Sequence, residues 1–538
     1  MGISYERVPH SSRLFLDYVH DFGRVAEFYT APPFELSSYQ DLAGQIRTTA
    51  GSRETLCDIL TRQNAKFDSP AAVLENINRL RDHNTFAVVT GQQIGLFSGP
   101  AFTLYKALTA VRLAQWLSEN GLPSVPVFWL ATEDHDFAEV SQTTVLDENY
   151  ALVPLASAGE RPALHSPVGA VKLTPAIADM LTLLESSLPE GGARDEVMRD
   201  LRNAYQPGVT WSRAFGKFMA RLFGRWGVIL VDSLDAELHQ LSAPTYLRAL
   251  DDPTFLRKAL RERSTALESH GYHSQVHVAE DSTLLFQIRT GERQSLHHRD
   301  GHFQTGTEEI SSARDLRKAF EADPLSLSGN VLMRPVIQDT LLPTLAYVAG
   351  PSELAYLGQA QALYAAFGRP MPVVLPRAAF TLADARTQRI LDKYRISVED
   401  VWQGEEALGL KIAAAGFAQG WDQRFDAAGQ EITRILYALS KDIETLDPTL
   451  LDPLKNTGEK MVQQLEKLRT KLSRAALQRS DLLSKHQQAL LQFLYPARDL
   501  QERQVSGVYF LGRAGYGLLD RILSEIRVDS SQHQVLQY

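Results

Sequence analysis

The chain has 538 residues, with 55 Lys and Arg against 64 Asp and Glu and a net charge of −9 at pH 7. That balance argues against a general nucleic-acid binder, which needs a basic footprint. No apolar run approaches the ~20 residues of a membrane span and no signal-peptide core opens the chain, so a cytoplasmic protein without membrane contact is expected. The single cysteine, Cys57, allows no internal disulfide, and its setting Leu56-Cys57-Asp58-Ile59 reads as the packed side of a helix rather than a nucleophile.

At about 150 residues per domain, the length calls for several domains or one core with insertions. Residues 1–84 read as a helical lead-in, broken at Ala31-Pro32-Pro33 and Asp68-Ser69-Pro70. The first core segment, 85–140, opens with the β-branched run Thr85–Thr90, passes through Gly91-Gln92-Gln93-Ile94-Gly95-Leu96-Phe97-Ser98-Gly99-Pro100, and continues with helical spacing over Thr103–Leu117. Strand, glycine loop and helix in that order make a candidate anion cradle, because backbone N–H groups and the helix dipole both favour negative charge. The same glycines also suit a plain turn. A second strand, Val125–Leu130, runs into Ala131–Glu139, where five of nine residues are ionisable. Charges at the carboxyl end of a buried strand are explained by a cleft, where open α/β sheets bind ligands.

Residues 141–210, with several prolines and Gly191-Gly192, read as a first insertion, and 211–263 returns to the core through Gly227–Asp232, with Asp232 expected at the cleft. A second, β-containing insertion covers 264–334, with strands expected at His273–Val278 and Thr283–Ile288. It carries His270, His273, His277, His297, His298 and His302. On one strand His273 and His277 lie about 13 Å apart, so a solvated face is expected over a metal site.

The third core segment, 335–382, holds another strand-loop-helix unit, with Ser352 expected to cap the helix after Gly350 and Pro351. Val373-Val374-Leu375, flanked by prolines, reads as an edge strand or a strand terminus. Residues 383–500 are dominated by helix formers. Met461, Leu465, Leu468, Leu472, Ala475, Arg479, Leu482, His486, Ala489 and Phe493 keep a 4-3-4-3 spacing, and Phe425, Ala428, Ile432, Ile435, Leu439 and Leu446 nearly match it. The prolines at 448 and 453 separate the two rows. An antiparallel helical coiled coil follows, with apolar surface left for a second chain; Arg479 and His486 in the seam fit register better than catalysis. A C-terminal segment, 501–538, is expected to pack on the core.

The glycine loop with Lys106, together with Trp129-Leu130-Ala131-Thr132-Glu133-Asp134-His135-Asp136-Phe137-Ala138-Glu139, resembles the BshC family of bacillithiol biosynthesis, the cysteine-adding enzymes. The likeness continues through Val348–Tyr356 and Pro376-Arg377 into the helical third. It implies a Rossmann-like, nucleotidyltransferase-like parallel-sheet core with inserted connecting segments, and a C-terminal coiled coil supporting a homodimer. It also implies a last biosynthetic step that joins L-cysteine to glucosaminyl-malate. A nucleotide site is implied near Arg377, Phe380, Thr381 and Leu382 and near Tyr495, where Arg377 would meet phosphate and Tyr495 would stack on adenine. Nucleotidyltransferases carry His-x-Gly-His in their signature loop. Here Gly99 stands with Phe97 and Pro100 where the histidines belong, which leaves adenylate chemistry without its donors at that loop.

Amide formation at a free carboxylate needs activation, for which ATP, released as ADP or AMP, is the expected source. Gln92, Gln93, Gly95, Gly99, Lys106, Gly350, Ser352 and Glu353 are assigned to substrate. His135 is the candidate base for the cysteine ammonium, oriented by Glu133, Asp134 and Asp136, although a histidine pinned by acids is also a common structural device. The same oxygens would suit Mg²⁺, but no dedicated metal site is assigned. Two other readings stay open: an ATP-dependent amide ligase or adenylyltransferase on another small acid, and a non-catalytic nucleotide-binding dimer.

Overall fold

The computed structural model describes residues 2–46, 50–156, 165–306, 309–416 and 421–538. Two compact units emerge. The first comprises Met1–Glu148, Leu152–Phe380 and Glu502–Leu536; the second comprises Asn149–Ala151, Thr381–Gln501 and Gln537–Tyr538. Among the described residues no helix is long and apolar enough to cross a membrane.

The first unit is built on a five-stranded parallel sheet. Its elements are β1 (Phe86–Gln92), α1 (Phe102–Glu119), β2 (Ser124–Leu130), β3 (Ile229–Asp232), α2 (Ala236–Leu241), β4 (Thr344–Ala349), α3 (Pro351–Ala366) and β5 (Val373–Pro376). Every residue of β2, β4 and β5 is buried, which is why these strands read as unbroken apolar runs rather than alternating ones. The strand order is β5-β4-β1-β2-β3. From β1 the chain steps outward through β2 to β3, then crosses back to lay β4 on the other side of β1. The direction of winding therefore reverses between β1 and β4, and at such a reversal the loops beyond the carboxyl ends diverge and leave a crevice.

Close approach of β1 to β2 depends on Gly91. A Cβ there would lie 3.0 Å from the Trp129 carbonyl oxygen and 3.1 Å from its Cβ. The glycine is thus needed by the sheet itself, before any ligand is considered.

The segment after the helical third returns to this unit and ties down the second half of the glycine loop. Ala101 N–H donates to Val505 O at 2.9 Å. Gly99 O accepts from Ser506 Oγ at 3.0 Å and from Gly507 N–H at 3.1 Å. The lead-in is not wholly helical: Gly2–Ile3 pairs antiparallel with His533–Gln534.

The second insertion contains five strands paired antiparallel, Ser282–Arg289, Glu292–Arg299, His302–Thr305, Glu309–Ser311 and Leu327–Gly329. The strand expected at His273–Val278 does not form. Val276 N–H donates to Gln359 Oε1 at 2.9 Å and Val276 O accepts from Gln359 Nε2 at 2.9 Å, so one buried amide on α3 satisfies the backbone that a neighbouring strand would otherwise pair. His297 Nδ1 contacts Asp281 Oδ1 at 3.0 Å. No metal-ligating cluster of three or more His, Cys, Asp or Glu side chains occurs among the described residues.

In the second unit, α4 (Trp421–Leu446) and α5 (Leu451–Arg479) form a helical hairpin through a turn at Pro448–Leu450. Asp447 accepts from Thr449 N–H at 3.0 Å and fixes the corner. The register is set where Leu436 packs on Gly458 and Leu465 on Gly429. Two details of the sequence pattern are corrected. The 4-3-4-3 row is not one helix, because Ser480 caps a new helix, α6 (Asp481–Leu494). The packed row on α4 turns from Ile432 to Leu436, whereas Ile435, Leu439 and Leu446 lie exposed with Met461, Leu468 and Leu472 of α5. A hairpin with a 3.6-residue period presents two apolar edges, and spacing alone does not say which faces inward. His486 is bonded to Tyr394 OH at 2.7 Å, and Arg479 is exposed.

Gly91→Ala should lower unfolding free energy by about 1–3 kcal/mol through overpacking of β1 against β2, measured by chemical denaturation. Unchanged stability would show that the sheet does not need the missing side chain.

Candidate active site

All five strands deliver residues at their carboxyl ends to one cavity of about 640 Å³. Gly91 to Gln93 arrive from β1, Glu133 to His135 from the loop after β2, Ser233 from β3, Gly350 to Glu353 from β4 and Arg377 from β5. Phe102 and Lys106 enter from α1, and the second insertion covers the rim with Phe286, Arg293 and Arg334. Gly91–Gln93, Glu133–His135 and Gly350–Glu353 therefore meet although they are far apart in the chain.

One wall is organised by Lys106. Its Nζ donates to Gly91 O at 2.9 Å and to Gln92 Oε1 at 2.8 Å, and it forms an ion pair with Glu353. Glu353 also accepts from Tyr347 OH at 3.0 Å and from Gly350 N–H at 2.8 Å. Burial pushes the Lys106 ammonium below its ordinary range, against the opposing pull of Glu353. Here the helix cap differs from expectation: Gly350 is the N-cap of α3 and Glu353 reaches back to its N–H, so Ser352 is free to line the cavity instead of capping.

The acidic side begins at Asp134. Its Oδ2 accepts from Gln93 Nε2 at 2.6 Å and its Oδ1 from His135 N–H at 2.7 Å, while Gln93 Nε2 also reaches Glu139 Oε2 at 2.9 Å. Asp136 does not line the cavity; its Oδ1 caps a short helix by accepting Glu139 N–H at 3.0 Å. Glu133 faces a buried histidine that the sequence did not mark: His239 Nε2, on α2, lies 2.7 Å from Glu133 Oε1.

His135 is set up differently from a general base. Its Nδ1 accepts from Arg293 Nη1 at 3.0 Å, so in the neutral ring the proton sits on Nε2 and the free lone pair is already occupied. Burial and then the Arg293 charge push its pKa below the usual histidine value. To act as a base it must first give up Arg293. In this arrangement it is a hydrogen-bond donor.

Three donors in the wall stand out by their partners. Arg293, 8 % exposed, donates to Ser328 Oγ at 2.8 Å, Gly329 O at 2.8 Å and His135. Arg334 donates to Gln338 Oε1 at 2.9 Å and Tyr356 OH at 2.8 Å. Among the described residues neither guanidinium forms an ion pair with a carboxylate, although buried charges ordinarily do. Trp129 Nε1, in the same wall, is a buried donor with no acceptor. Such a set calls for an anionic ligand. Arg334 had a faint sequence signal, as the one charge in the apolar run Val331–Ile337; Arg293, in a polar hairpin, had none.

Other expectations are corrected. Gly95 and Gly99 do not reach the cavity, because they pack on each other and on the returning segment. Asp232 lies behind it, accepting from Ser212 and Thr132 hydroxyls, and burial raises its pKa against those bonds. The residues assigned to a nucleotide are divided between the two units. Arg377 lines the cavity but is held bidentately by Glu502 at 2.6 and 3.0 Å, both side chains being buried. Phe380 packs edge-on against Tyr105 with centroids 5.1 Å apart. Thr381 and Leu382 belong to the second unit as buried strand residues, with Leu382 N–H donating to Gln501 Oε1 at 2.7 Å, and Tyr495 is buried at the end of α6 in that unit.

Glu353→Gln should cost about 3 kcal/mol in a denaturant titration, the lower end for a buried charge losing its counter-ion, because Gly91 O and Gln92 Oε1 remain for Lys106. A cost within error of zero would mean that the ammonium is not buried as described.

Comparison with known proteins places these features in a family. Residues 1–378 match the family described as "Bacillithiol biosynthesis BshC, N-terminal Rossmann-like domain", and residues 380–538 match "Bacillithiol biosynthesis BshC, C-terminal coiled-coil domain". A relative from Koribacter versatilis is 36% identical over 525 residues, covering 97% of this chain and 96% of its own. One from Solibacter usitatus is 36% identical over 530 residues, covering 98% of each. One from Salinibacter ruber is 34% identical over 526 residues, covering 97% of this chain and 96% of its own. All three bear the name "Putative cysteine ligase BshC".

Proposed function

The chain belongs to the BshC family of bacillithiol biosynthesis, a family of cysteine ligases, and from that premise we propose that it joins L-cysteine to glucosaminyl-malate by an amide bond. The observation that carries the reading is the division of charge in the cavity. Arg293 and Arg334 line it without carboxylate partners, and Glu133, Asp134 and Glu139 line it beside them. The malyl carboxylates dock on the arginines, the cysteine carboxylate is the group activated, and the glucosamine ammonium is received at the acidic side, where a carboxylate rather than His135 takes its proton. Gln92, Gln93 and Ser352 supply hydrogen bonds to sugar hydroxyls. The glucosamine nitrogen then attacks the activated cysteine carbonyl, and the C–N bond forms as the activating phosphate or AMP leaves.

ATP is proposed as the activating reagent because a free carboxylate does not form an amide unaided. No residue of this chain is assigned to holding it, since Arg377 is already engaged by Glu502. Purified protein incubated with L-cysteine, glucosaminyl-malate and ATP should yield the thiol product by mass, and omission of ATP should abolish it. No product under any nucleotide would overturn the reading. Arg334→Met should raise KM for glucosaminyl-malate at least tenfold, roughly the value of one charge-assisted contact, with a smaller change in KM for cysteine.

The exposed apolar edges of α4 and α5, with Leu446 83 % and Leu468 57 % exposed, support a homodimer through the hairpin. Sedimentation should report twice the chain mass of 60.0 kDa, and Leu439→Glu with Leu468→Glu should return it to one. A monomeric parent protein would contradict the assembly.

A further inference from the structure

His239 is a buried cation with no substrate contact. It is 3 % exposed, stacked on the ring of Tyr246 with centroids 5.3 Å apart. Nδ1 lies 3.0 Å from Pro324 O, and Nε2 lies 2.7 Å from Glu133 Oε1 and 3.2 Å from Ser233 O. Every neighbour of the two ring nitrogens is an acceptor, which only the doubly protonated ring satisfies. Burial alone would lower its pKa, but Glu133 and the two carbonyls outweigh that and hold it above the ordinary value of 6.5.

Across the cavity wall sits Arg293. Glu133 is close enough for its charge to act on that guanidinium, yet forms no ion pair with it. A carboxylate near a buried arginine would normally close on it. We infer that His239 is a positioning residue that holds Glu133 away from Arg293, and so keeps the guanidinium open for a carboxylate of the substrate. With the imidazolium gone, Glu133 turns to Arg293 and occupies the place of the incoming anion. The identity of the anion rests on the proposed reaction; the diversion of Glu133 does not.

The groups facing His239 are Glu133 from the loop after β2 and Tyr246 from the helix after α2, with Arg293 beyond Glu133. Because the His239 pKa is raised, the proton is in place below and through 6.5 and is lost as pH climbs past the raised value. Anion affinity should fall over that upper range.

The test reads binding rather than turnover, so that it stands apart from the ligase assay. L-malate is titrated into the full-length protein by calorimetry, with Trp129 fluorescence as a second signal. His239→Gln, which keeps a donor near Glu133 but no charge, should bind roughly tenfold more weakly, within the usual range of coupling between neighbouring sites. The double variant His239→Gln with Glu133→Gln should recover affinity, because the blocking carboxylate is gone. A merely structural role for His239 gives no such rescue. Should His239→Gln fold poorly, the wild-type titration against pH carries the same information. The inference is overturned by undiminished binding in His239→Gln, by failure of the double variant to recover, by pH-independent wild-type affinity, or by no malate binding at all.

Discussion

The cavity depends on two of its own carboxylates being held off its arginines. Glu353 is held by Lys106 and Glu133 by His239, each through a buried cation. Removing either cation would leave a carboxylate next to an arginine, and in a low-dielectric wall the two would pair. Because both acids lie against those cations, Arg293 and Arg334 keep neutral partners and their positive charge at the surface of the pocket. The cost of burying those guanidinium groups is tolerated by a set of oriented hydroxyl and carbonyl dipoles, and it is relieved when an anion arrives.

Sheet topology places the charges. The reversal between β1 and β4 opens the crevice, the second insertion roofs it, and Lys106 bridges the two central loops through Gly91 O, Gln92 Oε1 and Glu353. The returning C-terminal segment holds the outer half of the glycine loop. That half is therefore structural, and only Gly91 to Gln93 remain at the site.

Strands buried on both faces were legible as apolar runs, and the convergence of the three loops followed from where such strands end. What the residues could not reveal was direction. The pattern located His135 among acids but not the Arg293 bond that occupies its Nδ1, because the donor lies 158 residues away on an inserted hairpin. His239 sits in the ordinary amphipathic stretch Ala236–Leu241, and its meaning appears only when Glu133 faces it. On the hairpin, the 3.6-residue period supplied two candidate seams and packing selected one. The sequence marked Arg377 but not Glu502, the carboxylate 125 residues on that holds it bidentately.

A structure of the protein soaked with glucosaminyl-malate tests the central claim most directly. The account predicts malyl carboxylate oxygens within hydrogen-bond distance of the Arg293 and Arg334 guanidinium groups, with Glu133 still on His239 and Glu353 still on Lys106. Ligand bound elsewhere, or seated in the cavity with its carboxylates away from both arginines, would contradict it.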